Sequence, residues 1–103
     1  MGLDFAIDEL YAAGWSALDT SECEFAPDGR AFPMLDRIRR EFESRGSTIE
    51  TRHVQLFDCY RAEWTECSDA PAGAVVGHTE AESAVYALSQ FLRSMAATAV
   101  AGS

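Results

Sequence analysis

The stretch HVQLFDCYRAEW, residues 53–64, decides how the chain is read. Val54, Leu56, Tyr60, Ala62 and Trp64 fall on even positions. His53, Gln55, Phe57, Cys59, Arg61 and Glu63 fall on odd ones and are mostly polar. A period of two is the mark of a strand with one buried side, so the stretch predicts one half-buried antiparallel strand. Asp58 breaks the apolar side. A carboxylate there is costly unless it is paired or wet, which predicts a bulge near Phe57–Asp58 or an arginine partner from a neighbouring helix.

Downstream, CSDAPAG (67–73) reads as a loop and AVVGH (74–78) as a second short strand. Thr79 with Glu82 forms a T-x-x-E capping box. Ala81, Ala84, Val85, Leu88, Leu92 and Met95 then recur at helical spacing, with Phe91 beside them. After Met95 the sequence AATAVAGS has no charge and no large side chain, so residues 95–103 are expected to fray as a disordered tail.

Upstream, Leu35, Ile38 and Phe42 form the stripe of a helix that Gly46 ends, with Pro33 suited to its first turn. Arg37, Arg40, Glu41 and Ser44 face away from that stripe. Asp36 with Arg40 and Glu41 with Arg45 stand as i, i+4 pairs. SECEFAPDGRAFP (21–33) reads as a hairpin turning at Pro27-Asp28-Gly29, where Pro presets φ and Gly accepts a positive one. Residues 3–13 read as a first helix on Leu3, Ile7, Leu10 and Tyr11. Gly14 supplies its C′ position, and Trp15 folds back on Leu10 or Tyr11. The order predicts one α+β domain over residues 1–103, a three- or four-stranded antiparallel sheet with helices packed on one face.

Residues 59–92, with CYRAEW followed by GAVVGHTEAESAVYALSQFL, carry a resemblance. A strand, a Gly-x-Thr step and an Ala-rich helix resemble the end of the double-stranded-RNA-binding domain. The same segment is similar to the small phage-type α-β-β-α "ABA sandwich" domains. The first resemblance implies an RNA-binding α+β fold, and the second a fold without a known chemistry. RNA binding of that type needs lysines at the start of the last helix, where this chain has Glu80 and Glu82.

Charge narrows the partners. Seventeen acids against eight basic residues, all arginine, give a net charge of −9. Residues 1–29 hold seven acids and no base, while six of the arginines fall between 30 and 52. Such a chain is expected to repel nucleic acid and anionic membranes, the arginine segment excepted. No signal peptide is visible and no apolar run reaches spanning length, so a cytoplasmic protein is expected. Cys23, Cys59 and Cys67 cannot all pair and read as reduced thiols.

Two chemistries compete with plainer readings. A metal site would draw on His53, Cys59, Cys67 and His78, but ligand spacings such as C-x₂-C are missing. A hydrolase would draw on Cys59, His53 and Glu63, with no nucleophile elbow to mark it. The expectation is therefore no catalytic residue, no metal and no cofactor. The function expected is a non-enzymatic interaction module that meets a protein partner or forms a weak homodimer. RNA binding and a small hydrolase are the alternatives. Its surface is expected at Phe57, Cys59 and Arg61 on the open side of the sheet, with Arg37 and Arg40 of the arginine group.

Overall fold

The computed structural model describes residues 2–16 and 18–101, with side chains as far as residue 97. The deciding stretch is not one strand. It holds the end of strand β3 (Ile49–Val54), a single 3-10 turn at Gln55–Phe57 and strand β4 (Cys59–Trp64). The two strands pair antiparallel from Ile49↔Trp64 to Val54↔Cys59. Asp58 reverses the chain at φ 47°, in the left-handed region that Asp tolerates better than most side chains. The break in the apolar side at Asp58 is thus a hairpin turn and not a bulge.

The turn changes which residues share a side. On β4, Tyr60, Ala62 and Trp64 face the helices, as expected. On β3 the helix side belongs to Ile49, Thr51 and His53, which stand opposite Trp64, Ala62 and Tyr60. Val54 therefore lies on the open side beside Cys59, and Leu56 is in the turn, exposed. The expected core position of both rests on a period that runs unbroken through the stretch, and the reversal breaks it.

Strand β5 (Gly73–Gly77) completes a sheet in the order β3-β4-β5, all antiparallel. Helix α1 (Leu3–Ala12), strands β1 (Cys23–Phe25) and β2 (Ala31–Pro33), helix α2 (Leu35–Glu43) and helix α3 (Glu80–Ala101) make up the rest. Helix α3 lies on one face of the sheet and touches all three strands, while α1 and α2 pack against α3. The expected α+β class is found. The sheet has three strands, and β1–β2 form a separate two-stranded ribbon.

The core forms where α2, α3 and the sheet meet. Phe42 stacks on Phe91 at 4.3 Å between centroids, and the Trp64 ring lies 6.0 Å from Phe42. Ala62, Val85 and Leu88 are fully enclosed around them. Burying such a side chain is worth about 1.5–3 kcal/mol, so this cluster is what holds the layers together. Trp64 also covers Gly73, where a Cβ would sit 2.3 Å from Cζ2 of its ring. Glycine at 73 lets the indole lie flat against the next strand.

Local signals place the helix ends. Trp15 N donates to Leu10 O at 3.2 Å and Gly14 N to Tyr11 O at 3.1 Å, a Schellman cap with Gly14 at φ 100°. Glu82 N donates to Thr79 Oγ1 at 3.1 Å. The Glu82 carboxylate accepts from His78 N at 2.7 Å, one residue before the N-cap nitrogen of a standard capping box. In the β1–β2 turn Gly29 N donates to Ala26 O at 2.9 Å.

Some placements differ from expectation. Pro33 is the last residue of β2, and α2 starts after Met34 as its N-cap. Asp36 meets Arg39 at 3.7 Å rather than Arg40, which reaches Glu22 instead. Ala81 is exposed. Helix α3 continues past Met95 to Ala101 in place of the expected frayed tail; residues 102 and 103 lie outside the described residues. Among the described residues no helix is long and apolar enough to cross a membrane.

Candidate interaction surface

The side of the sheet away from α3 carries three rows set by the strand register. Glu50, Glu63 and Ala74 form the first, Arg52, Arg61 and Val76 the second, and Val54 with Cys59 the third. Beyond the third row comes the hairpin tip. Val76 is 56% exposed, Leu56 84% and Phe57 74%. An apolar end therefore adjoins a charged middle on one uncovered surface.

The charged middle is tied by a shared carboxylate. Arg61 Nε donates to Glu63 Oε1 at 2.6 Å, and Arg52 Nη2 lies 3.2 Å from the same oxygen. The hydrogen bond from Arg61, helped by both guanidinium charges, holds the Glu63 carboxyl below its usual range. Both arginines converge on one carboxylate, so the charges at the centre of the face are tied to one another.

At the tip, Asp58 Oδ1 lies 3.0 Å from Nε2 of His53, and the His53 ring packs on Tyr60 at 5.0 Å between centroids. The partner of Asp58 is this histidine and not an arginine of α2. His53 lies on the helix side of the sheet and Cys59 on the open side, because Cys59 pairs with Val54. A single strand would put the two on one side. The turn separates them, so a Cys59–His53–Glu63 constellation does not assemble.

Cys59 and Arg61 lie on the open side of β4, whereas Phe57 lies in the turn before it and not on the strand face expected of it. Arg37 and Arg40 are not with them. They belong to α2, in the helix layer, and each has a structural task. Arg37 lies over the Trp15 ring at 5.3 Å from its centroid and donates to the carbonyls of Asp19 and Ser21. Arg40 pairs with Glu22 at 2.6 Å. Together they pin residues 19–22 to α2. The backbone N–H of Ser21 donates to Asp19 Oδ1 at 2.9 Å and holds that carboxyl below its ordinary range.

The remaining arginines are also engaged. Arg30 contacts Asp4, Asp8 and Asp28, Arg45 lies 3.8 Å from Glu41, and Arg93 lies 2.7 Å from Glu9. Among the described residues no group of three or more His, Cys, Asp or Glu side chains stands where it could hold a metal. His53, Cys59, Cys67 and His78 do not converge.

Glu50, Arg52 and Val76 also stand on the open side of the sheet, and sequence reasoning missed them. Their placement depends on the β3–β4 and β4–β5 registers, which no local pattern reveals. No family model matches the chain, and neither a curated protein nor a solved structure matches it.

Proposed function

We propose that the chain is a non-enzymatic protein-interaction module whose contact surface is the open side of β3–β4–β5 with the hairpin tip. The observation that carries this reading is the exposure of Leu56 and Phe57 at the hairpin tip and of Val76 on a sheet face with no helix over it. Large apolar side chains exposed beside charged ones suit a contact centred on the tip, with the charged rows of the sheet as its polar border.

Duplex RNA binding is the weaker reading. Its support is the resemblance carried by residues 59–92, which fold as β4, β5 and the first half of α3. Against it, α3 opens with Glu80 and Glu82, and each of the eight arginines already has a carboxylate or carbonyl partner. A phosphate backbone would have to displace those partners.

The test is Phe57→Ser. Complexes of the parent chain, with itself or with proteins captured from an extract of its source, should be lost in this variant and kept in Arg37→Ala. The Phe57→Ser protein should melt as the parent does. A set of complexes indifferent to Phe57, or a duplex RNA shift at physiological salt, would overturn the reading.

A further inference from the structure

We infer that the partner on the outer edge of β3 is a second copy of this chain, paired strand to strand about a two-fold axis at Thr51. The inference rests on the interaction reading above and specifies one edge of that same sheet.

Strand β3 is an edge, since the sheet runs β3-β4-β5. The bond from Thr65 N to Thr48 O, at 3.0 Å, sets the phase of the ladder. Hydrogen-bonded and non-bonded pairs alternate in an antiparallel ladder. Glu50, Arg52 and Val54 therefore bond toward β4, and Ile49, Thr51 and His53 turn their N–H and C=O groups off the edge. No backbone bond from these groups to another element is present among the described residues. The edge has no proline and no bulge; Glu50, Arg52 and His53 are exposed along it, and Thr51 is half-buried with its hydroxyl turned to Glu80 Oε2 at 2.6 Å. Such an edge is a template for another strand.

The charges choose the occupant and the register. Only residues whose backbone groups point outward can exchange hydrogen bonds across the edge. Near the middle of the strand, a two-fold pairing is thus centred on residue 50, 51 or 52. Centring on 50 sets Glu50 against Glu50 of the second copy, and centring on 52 sets Arg52 against Arg52. Centring on Thr51 sets Glu50 against Arg52 of the second copy, twice by symmetry. The Thr51 backbones then exchange both bonds between these two charge pairs. Opposite charges at such non-bonded positions stabilise a ladder and like charges weaken it.

A second observation agrees. Inside one copy the directly opposed neighbours are like charges, Glu50↔Glu63 and Arg52↔Arg61. Glu63 is shared by both arginines, and Glu50 has no cation within salt-bridge distance among the described residues. Within the hairpin the directly opposed pairs are like charges and Arg52 reaches Glu63 only on the diagonal, whereas across the edge the pattern is self-complementary.

The experiment is sedimentation equilibrium of four chains from micromolar to millimolar concentration: the parent, Arg52→Glu, the double swap Glu50→Arg/Arg52→Glu, and Phe57→Ser. The parent should form a dimer and no larger species. Arg52→Glu sets acid against acid across the axis and should weaken the dimer by about tenfold or more. The double swap should restore it, because the same register again pairs opposite charges. Within each copy the swap also sets a guanidinium opposite Glu63 and a carboxylate opposite Arg61, so loss of folding is not expected. Circular dichroism checks that point. A parent that stays monomeric, or a dimer indifferent to Arg52→Glu, overturns the edge pairing and leaves the interaction reading standing. A dimer that responds to the charge swap but not to Phe57→Ser, with no Phe57-dependent complex of any kind, upholds the edge and removes the tip from the contact.

Discussion

At its base the β3–β4 hairpin closes over the buried side chains of Ser47, Ile49 and Trp64, whereas its tip is held by surface contacts. At the base, Ser47 Oγ donates to Thr65 O at 2.6 Å and Thr48 N donates to Thr65 Oγ1 at 3.0 Å. Ile49 and Trp64 are buried above them, with Phe42 and Gly73 against the indole. At the tip, the chain turns through one 3-10 turn and a left-handed Asp58, with Leu56 and Phe57 in water. The same ladder thus carries stability at one end and the proposed contact surface at the other. A module can vary its tip without risk to its fold only if the base does not depend on it.

The largest expected effect is at the base. Trp64→Ala should cost about 3–5 kcal/mol, since it leaves a cavity among Phe42, Phe91 and α3. Urea melts read this directly, and a variant as stable as the parent would show that the base does not hold the hairpin. Next comes Gly73→Ala, which drives a methyl into the Trp64 ring. It should cost about 1–3 kcal/mol by overpacking, and a neutral result would mean the ring slides away freely. Phe57→Ser at the tip should stay within about 0.5 kcal/mol of the parent. Unfolding of this variant would mean the tip is part of the core and the two ends are not independent.

The smallest effect concerns acid. The folded-state pKa of Glu63 is lowered by the bond from Arg61, below its ordinary 4.5. A lowered carboxyl contributes stability above its unfolded pKa and loses it as pH falls through the folded value. Glu63→Gln should therefore melt slightly below the parent at neutral pH, and the difference should vanish as pH falls below 4.5. Solvent screens the exposed Glu63 carboxylate, so the shift should be the smallest of the four. A difference that persists in strong acid would show that the contact is one of shape and not of charge.

Much of the helix layer is legible in the sequence because its signals are local. Gly14, Gly46 and the Thr79–Glu82 pair act within a few residues of themselves. The turn at 55–58 is not, because it contains no Gly, Pro or Asn, and its Leu56 and Phe57 extend the apparent alternation across the reversal. Asp58 is the one sign of trouble. The first half of β3 escapes a reading from pattern, though Ile49 and Thr51 alternate with Glu50 and Arg52. Of the surface, Cys59 and Arg61 can be found from strand parity on β4, whereas Phe57 is exposed by the turn and not by parity. Arg37 and Arg40 mislead because their partners, Asp19, Ser21 and Glu22, lie far away in the chain and meet them only in space.

The Trp64 indole has one more consequence. Among the described residues its Nε1 is a buried side-chain nitrogen with no hydrogen-bond partner. An N–H that meets neither an acceptor nor solvent can trade its proton only when the layers around it part. In heavy water, the indole resonance of Trp64 becomes a clock for the base of the hairpin. Its decay times how often the sheet lifts from α3, and a decay as fast as that of a solvent-exposed indole would mean the layers part continually.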